Sequence, residues 1–206
     1  MQAYSAWLFF IYNMGKIKIA IFASGSGSNA EQITNYFSGH DQIEVVLILS
    51  NKPTAYVLER AAKLGVPSQV FDRPTFYQSE NVLDSLRTHE VDYIVLAGFL
   101  WLVPQYLIEA YREKMINIHP ALLPKYGGKG MYGDRVHRAV IADQETESGI
   151  TIHLVDEVYD NGRILCQERV SLVADDTPDS LAEKIHELEY AYFPKAIESY
   201  LLEHKG

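Results

Sequence analysis

The chain has 206 residues, of which 48% are hydrophobic and 22% charged, a composition typical of a globular protein that buries a substantial core. Its formal net charge of −9, from 18 Lys and Arg against 27 Asp and Glu, argues against a nucleic-acid partner held through its phosphates. The single cysteine, Cys166, excludes an internal disulfide, and no apolar run approaches the roughly 18 residues that a membrane span needs. We therefore expect a cytoplasmic protein of one domain without nucleic-acid or membrane partners.

Residues 1–13 precede Met14 and the first strand pattern. Their apolar part, residues 6–12, is short, follows no basic residue and lacks a small-x-small cleavage site, so no signal peptide is indicated. We interpret residues 1–13 as a dispensable N-terminal extension. Residues 14–206 contain no repeat, low-complexity tract or linker and are interpreted as a single domain.

Strand-like and helical patterns alternate through the first half of the chain. The predicted strands cover residues 16–23, 44–50, 68–71, 93–99 and 115–119. The predicted helices cover residues 30–37, 56–64 and 82–90, and a further helix has Pro104 in its first turn. This alternation is typical of βαβ units, so it predicts a parallel sheet covered by helices on both faces.

The second half has a different pattern. A glycine-rich loop, YGGKGMYGD, leads to a predicted helix around residues 135–143 and to two strands, in GITIHLVD and RILCQERVSLV. Only about five residues separate these strands, too few for a helical crossover, so we expect them to be antiparallel. A last helix begins at Thr177 and Pro178. Its predicted apolar stripe consists of Leu181, Ile185, Leu188 and Tyr192.

The predicted fold class is therefore α/β. We expect an open, mostly parallel, Rossmann-like sheet with helices on both faces and a C-terminal antiparallel strand pair. In such a sheet, ligands bind in the crevice beyond the carboxyl ends of the strands.

The stretch IAIFASGSGSN is a strand that runs into a glycine-rich turn and opens a helix. Glycines let the backbone approach an anion closely, and the N–H groups and dipole at a helix N-terminus favour a phosphate. The stretch is not the dinucleotide fingerprint G-x-G-x-x-G, because the third glycine would fall at Ala30 and no acidic residue ends the second strand. It predicts a phosphate site at residues 25–29, with a turn that only reverses the chain as the alternative.

The stretch MINIHPALLPKYGGKG places Asn117 and His119 two residues apart in an apolar strand, so their side chains point to the same face. Pro120 and Pro124 then end the strand, because proline has no N–H to give to a ladder. Since this strand ends at the same edge of the sheet as the glycine-rich turn, we expect both polar side chains in the same crevice.

The loop in HLVDEVYDNGRIL offers Asp156, Glu157 and Asp160 between two strands. A solvated turn is the simpler interpretation, since Asp160-Asn161-Gly162 is good turn chemistry in itself. The loop would instead form the lid of the crevice if it lies beyond the strand ends.

Four further polar residues are interpreted from their local patterns. His153 lies mid-strand in ITIHLV, which favours a structural hydrogen bond over a catalytic role. His137 and His186 are interpreted as helical and peripheral. Glu189 lies one turn beyond Ile185 at the margin of the apolar stripe, where a partly buried carboxylate needs a polar partner, and a solvated helix acid is the alternative.

With SGSGSN, VLAGF, INIHPALLPKY, DEVYDNG and ELEYAYFP in this order, the chain resembles the folate-dependent formyltransferases from about Met14 to near its C-terminus. The motif Asn-x-His-Pro-Ala-Leu-Leu-Pro is specific for that group. The Gly-Ser-Gly-Ser-Asn turn and the short length match the phosphoribosylglycinamide formyltransferase family within it. The resemblance implies the formyltransferase fold, and transfer of a formyl group from 10-formyltetrahydrofolate, the cosubstrate, to the amine of glycinamide ribonucleotide in de novo purine synthesis.

The resemblance also implies site residues by position. The substrate phosphate is implied to bind Gly27, Ser28 and Asn29, and the ribose and amine end of the ribonucleotide is implied to contact Glu189. The residues implied to receive the folate are Leu100, Trp101, Leu102, Val103 and Asn117. Two features depart from the family pattern: the loop GGKGMYGDRVH is longer than in several relatives, and Arg73 in FDRPTF is only a candidate for meeting the glutamate tail of the folate.

The catalytic residues implied by the resemblance are Asn117, His119 and Asp160. Attack of the amine on the formyl carbon creates an oxyanion, which Asn117 can stabilise with a neutral N–H and His119 as an imidazolium. We expect Asp160 to raise the pKa of His119 by favouring its charged form, and the pair to move a proton from the amine to the folate nitrogen. No metal is required, and a monomer or homodimer is expected.

Two other hypotheses stay open. The first is a formyl-folate hydrolase, or a formyltransferase for another amine such as that of a nucleotide sugar. The second is a non-catalytic nucleotide-binding protein that uses only the glycine-rich turn, which predicts that Asn117, His119 and Asp160 lie far apart.

Overall fold

The computed structural model describes residues 15–204, so the interpretation of residues 1–13 as an extension lies outside the described residues. In the described range the strands are β1 (Ile17–Phe22), β2 (Ile43–Ser50), β3 (Ser68–Val70), β4 (Tyr93–Leu96), β5 (Met115–His119), β6 (Glu147–Leu154) and β7 (Ile164–Ser171). The helices of this range are α1 (Ser28–Tyr36), α2 (Val57–Leu64), α3 (Arg73–Tyr77), α4 (Asn81–Thr88), α5 (Gln105–Ala110), α6 (Asp134–Ala142) and α7 (Pro178–Glu203). None of these helices is long and apolar enough to cross a membrane.

The seven strands form one sheet in the order β3-β2-β1-β4-β5-β6-β7. Strands β1 to β5 pair in parallel, whereas β5–β6 and β6–β7 pair antiparallel. The predicted fold class is confirmed, including the antiparallel pair near the C-terminus. The sequence did not predict that β6 would also run antiparallel to β5, and this pairing places Asn117 directly opposite His153.

Two apolar layers cover the two faces of the sheet. Along β1, Ile19 and Ile21 face one layer while Ala20 and Phe22 face the other, as strand geometry requires. The first layer is completed by α1, α2, α6 and α7, and the second by α3, α4 and α5. Burial of both faces explains why the central strands read as continuous apolar runs, such as the fully buried YIVL of β4.

Helix α7 begins as predicted, with a capping box between Thr177 and Ser180. Its buried stripe differs from the prediction, because Tyr192 is 37% exposed. The buried residues beyond Leu181 include Ile185, Glu189, Phe193 and Ile197, at a constant spacing of four. Glu189 is therefore a buried residue of the helix and not a solvated one.

Candidate active site

A cavity of about 570 Å³ opens beyond the carboxyl ends of β1, β4 and β5. The residues that line it come from the turn at 25–29, the segment at 96–103, the end of β5, the loops at 128–133 and 155–160, the first turn of α6 and one side of α7. This size is in the range of small-molecule sites, and its position obeys the rule for ligands of open α/β sheets. Every site residue predicted from the sequence lines this cavity.

The glycine-rich turn forms one end of the cavity. Gly27 has a φ of +75°, and a Cβ added there would lie 2.4 Å from the Val57 side chain, so only glycine fits. Helix α1 begins immediately after it at Ser28, and no side chain caps its first N–H groups. These N–H groups are available to an anion in the cavity.

Glu189 and Asn29 meet across the cavity wall. The amide Nδ2 of Asn29 donates to Glu189 Oε2 at 2.8 Å, and Glu189 is 7% exposed. Burial raises the pKa of the Glu189 carboxyl, although the Asn29 hydrogen bond and the nearby His186 act in the opposite direction. Glu189 engages one N–H of the Asn29 amide, so the second N–H of that amide and the backbone N–H groups of the turn remain as donors for an anion.

Asn117 is held by its cross-strand neighbour His153. His153 Nδ1 lies 2.7 Å from the carbonyl oxygen of Leu154, which can only accept, so Nδ1 carries the hydrogen. The His153 Nε2 therefore accepts a hydrogen bond from Asn117 Nδ2 at 3.0 Å. The predicted structural hydrogen bond of His153 is present, but its ring also fixes the amide of a predicted catalytic residue, which the sequence interpretation missed.

His119 is 3% exposed, and its Nε2 donates to the carbonyl of Tyr126 at 2.8 Å. Its Nδ1 lies 3.5 Å from Asp160 Oδ2. Burial is the largest influence and lowers the pKa of His119, while Asp160 and the Tyr126 carbonyl raise it and His153 lowers it. Asp160 raises the pKa of His119 as predicted, but desolvation outweighs the carboxylate, so the net shift is downward and the expected imidazolium is not the favoured form. The lowered pKa favours the neutral form of His119, and because Nε2 carries the hydrogen, Nδ1 is the acceptor.

Asp160 connects the two loops at the mouth of the cavity. Its Oδ2 accepts the N–H of Gly128 at 2.8 Å, and its Oδ1 lies 3.7 Å from His153 Nε2. Burial would raise the pKa of Asp160, but His153, His119 and the Gly128 N–H together lower it below the ordinary value. Asp160 is thus the ionised partner of a neutral His119.

The other two acids of this loop serve different contacts. Asp156 accepts hydrogen bonds from the N–H of Val158 and the amide of Asn161, so it shapes the loop itself. Glu157 lies 3.6 Å from Arg112 at the surface. The solvated-turn interpretation therefore fits Glu157, whereas Asp160 points toward His119.

An aromatic cluster backs the segment that the resemblance assigned to the folate. Trp101 contacts the rings of Phe71, Phe76 and Phe99, and the Arg73 guanidinium lies 5.0 Å from the Trp101 ring. The segment itself exposes Leu100 and Leu102, which are 38% and 37% exposed, whereas Val103 is buried. A partly exposed apolar strip of this kind can cover the face of a planar ring.

The interpretation of His137 as peripheral is wrong, whereas His186 is exposed although it too borders the cavity. His137 on α6 and His186 on α7 both line the cavity, and His137 is 5% exposed with no partner for Nδ1 among the described residues. Burial lowers the pKa of His137, and His186 and His119 add to this effect. Helical spacing alone could not show that these faces meet a cavity. Among residues 15–204, no group of three or more His, Cys, Asp and Glu side chains could hold a metal ion.

Residues 17–197 match the family model described as formyl transferase. The chain is 41% identical over 186 residues to the chloroplastic phosphoribosylglycinamide formyltransferase of Arabidopsis thaliana, across 87% of this chain and 64% of the relative. It is 36% identical over 190 residues to the phosphoribosylglycinamide formyltransferase of Bacillus subtilis (strain 168), across 89% of this chain and 94% of the relative. The chain thus spans less than two thirds of the length of the plant relatives, from Arabidopsis thaliana and Vigna unguiculata.

Solved structures give the same result. Phosphoribosylglycinamide formyltransferase from Bacillus halodurans superposes with a TM-score of 0.80 at 37% identity, over 89% of this chain and 95% of that one. Glycinamide ribonucleotide transformylase 1 from Geobacillus kaustophilus superposes with a TM-score of 0.80 at 35% identity, over 88% of this chain and 96% of that one. The resemblance found in the sequence motifs is confirmed, and the chain belongs to the formyl transferase family.

Proposed function

We propose that this chain transfers the formyl group of 10-formyltetrahydrofolate to the amine of 5'-phosphoribosylglycinamide, giving N-formylglycinamide ribonucleotide and tetrahydrofolate in de novo purine synthesis. The observation that carries the proposal is that one cavity brings together the glycine-rich turn at residues 25–29, called the phosphate turn below, the apolar strip at residues 100–103, and the Asn117, His119 and Asp160 side chains. The names of the relatives from Bacillus subtilis and Arabidopsis thaliana support the choice of substrate.

The two substrates would occupy opposite ends of the cavity. The phosphate lies against the backbone of Gly27, Ser28 and Asn29, where the N-terminus of α1 favours an anion. Glu189, already hydrogen-bonded to Asn29, reaches the ribose side of the ribonucleotide. The folate ring lies on Leu100, Trp101, Leu102 and Val103, which bring its formyl group toward Asn117 at the end of β5.

The reaction forms a bond between the glycinamide nitrogen and the formyl carbon, and it breaks the bond between that carbon and N10 of the folate. The tetrahedral intermediate carries an oxyanion. Asn117 retains one amide N–H for it, since the other is donated to His153, and a preorganised donor of this kind contributes about 3 kcal/mol of transition-state stabilisation.

The proton released by the attacking amine must reach the folate nitrogen. Neutral His119 can accept it at Nδ1, because Nε2 is already bonded to the Tyr126 carbonyl. The imidazolium that results is 3.5 Å from the Asp160 carboxylate, which stabilises it, and it can donate the proton onward to N10. In this scheme His119 acts first as a base and then as an acid, and it becomes an imidazolium only during the reaction.

The geometry does not favour the non-catalytic alternative, which requires that Asn117, His119 and Asp160 lie far apart. His119 and Asp160 are in contact, and Asn117 shares the neighbour His153 with Asp160.

The direct test is incubation of the purified protein with 10-formyltetrahydrofolate, with and without glycinamide ribonucleotide. We expect tetrahydrofolate to form only with the ribonucleotide and in equal amount to N-formylglycinamide ribonucleotide. Consumption of the folate without the amine substrate would identify a hydrolase instead, and no consumption in either case would contradict the proposal.

A further inference from the structure

A basic residue behind the phosphate turn has contacts that the proposed function does not use. Arg60 lies on α2, and none of the residues of α2 lines the cavity. We propose that Arg60 is a positioning residue for the phosphate turn: it holds the Ser26 carbonyl so that the N–H of Gly27 faces the substrate phosphate. The inference deepens the proposed function and rests on it for the identity of the phosphorylated substrate.

The turn is held from behind at two successive carbonyl groups. The N–H of Val57 donates to the Gly25 carbonyl at 3.2 Å, and Nε of Arg60 donates to the Ser26 carbonyl at 3.0 Å. Both donors belong to α2, so both carbonyl groups point toward that helix.

Because a peptide bond is planar, fixing the direction of each carbonyl group also fixes the direction of the N–H group that follows it. The only cis peptide of the described residues is Leu123-Pro124, so the peptides of the turn are trans. In a planar trans peptide the C=O and the following N–H point in opposite directions. The N–H groups of Ser26 and Gly27 therefore point away from α2.

These two N–H groups have no hydrogen-bond partner among the described residues. They precede Ser28 and the free first turn of α1 on the stretch of backbone that lines the cavity. Successive N–H groups around a left-handed residue such as Gly27, whose φ is +75°, form a concave anion site. The carbonyl contacts to α2 thus turn the donor side of the loop toward the cavity.

Arg60 is itself held in place by a second partner. Its Nη1 forms an ion pair with Glu31 on α1, and its guanidinium carbon lies 5.1 Å from the Tyr56 ring centroid. Nε and Nη1 of the planar guanidinium contact the carbonyl and the carboxylate in a fixed geometry, which the single nitrogen of an ammonium group does not reproduce. The Ser26 carbonyl is therefore tied to both helices that flank the turn, which limits rotation of the Ser26–Gly27 peptide.

The test uses ribose 5-phosphate as the probe and the full-length protein. We expect Arg60→Met to weaken ribose 5-phosphate binding about tenfold, as measured by isothermal titration calorimetry. This is the loss expected when the hydrogen bond from the Gly27 N–H to the charged phosphate is no longer well oriented. The KM for glycinamide ribonucleotide should rise by the same factor, with kcat and the KM for the formyl-folate unchanged. If Arg60→Met does not fold, as judged by circular dichroism, Arg60→Lys takes its place.

Two variants separate positioning from simple charge attraction. Lys63→Met removes a positive charge one turn along the same helix, where Nζ lies 5.4 Å from the Tyr56 ring centroid without contacting the turn, and it should bind as wild type does. Glu31→Ala removes a negative charge near the phosphate but frees Arg60, so it should weaken binding. Charge attraction alone requires that Glu31→Ala bind the probe more tightly.

The inference is overturned if Arg60→Met binds ribose 5-phosphate like wild type, if Lys63→Met shows the same loss, or if Glu31→Ala tightens binding. Failure of the proposed function gives a different result. In that case the wild type binds ribose 5-phosphate in an Arg60-dependent manner but forms no N-formylglycinamide ribonucleotide.

Discussion

Two opposed influences determine the protonation state of His119: its own burial and the charge of Asp160. Burial disfavours a charge on the imidazole, and the adjacent carboxylate favours one. The effect of desolvation on the His119 pKa is larger than that of the carboxylate. The Nδ1 lone pair of the neutral His119 ring therefore faces the ionised carboxylate of Asp160. Protonation of Nδ1 converts this unfavourable approach into a charge-assisted hydrogen bond, so the pair is suited to accept a proton that arises within the cavity.

Asp160→Asn tests this pair, because it removes a charge and nearly conserves shape. We expect ribose 5-phosphate binding within about twofold of wild type, since the phosphate turn is untouched, and a loss of turnover of roughly 10²–10⁴-fold, as for a general acid/base contribution. Steady-state kinetics and calorimetry measure the two effects. Glu157→Gln, in the same loop but paired with surface Arg112, is the matched control and should turn over normally. Wild-type turnover in Asp160→Asn would mean that Asp160 is only a turn residue.

The pH dependence of kcat/KM is a separate prediction about His119. Since burial lowers its pKa below the ordinary value of 6.5 and the neutral ring is the base, activity should fall only as the pH drops below that value. Removal of the Asp160 charge removes a contribution that raises the pKa of His119, so the residual activity of Asp160→Asn should fall at a lower pH than in wild type. Kinetics from pH 4.5 to 8 measure both profiles. An acidic limb above 6.5 would contradict the neutral form of His119.

Glu189 predicts a pH effect on stability. Burial raises its pKa in the folded state above the ordinary value of 4.5, so the folded protein retains a proton that the unfolded chain has released. The stability contributed by this group is complete below pH 4.5 and declines as the pH rises through the folded pKa. Glu189→Gln keeps an acceptor for Asn29 and removes the titration. Its melting temperature relative to wild type should therefore rise between pH 4 and pH 8, and a constant difference would argue against a raised pKa.

At the scale of elements, the start of helix α7 can be predicted from local residues, whereas its buried face cannot. Thr177 and Ser180 are local signals, and the helix begins where they predict. The buried face of the helix depends on which neighbouring element each helical turn packs against. Tyr192 is therefore exposed, although its spacing in the sequence is that of a core residue. Pro194 lies inside the helix, where the sequence rule predicts a break. The burial of Glu189 likewise results from the packing of the helix against its neighbours and has no local signal in the sequence.

Thr177→Ala tests how far α7 depends on its capping box. The substitution removes the side-chain acceptor for the Ser180 N–H, which should cost about 1 kcal/mol. In a chain of this size the melting temperature should fall by about 2–4 °C. Thr177→Ser keeps the hydroxyl and should stay close to wild type in thermal denaturation. Equal effects of the two substitutions would mean that the methyl group, and not the cap, is responsible.

The pairing of β5 with β6 shows what the sequence could not supply. The alternation within MINIH is enough to place Asn117 and His119 on one face, and the rule for open sheets is enough to place both at the crevice. The contact between Asn117 and His153 depends on the antiparallel register of two strands that are far apart in the chain. The partners of His119 also come from distant loops, so its net pKa depends on burial that no local pattern shows.

At the scale of the whole molecule, the site joins the two halves of the fold. The phosphate turn and the strip at Leu100–Val103 follow parallel strands, whereas His153, Asp160 and Glu189 come from the antiparallel half and the last helix. The hydrogen bond between Asn29 and Glu189 spans 160 residues of sequence. A ligand at this end of the cavity contacts elements from near both ends of the described chain, so its binding should stabilise the sheet and both layers together.

The corresponding prediction concerns thermal unfolding with ribose 5-phosphate. A ligand that binds only the folded state at 100 times its Kd adds about 2.7 kcal/mol of stability, which for a chain of this size corresponds to a rise in melting temperature of roughly 5–10 °C. The rise should appear as one shifted transition in both far-UV and near-UV circular dichroism, because the ligand connects α1 to α7 across one shared sheet. Ribose at the same concentration is the control and should leave the transition in place, since it lacks the phosphate that the turn at Gly27 would hold. A transition that splits in two, with only its upper part moved by ribose 5-phosphate, would mean that the phosphate turn and α7 unfold independently, and that the Asn29–Glu189 contact does not couple the two halves.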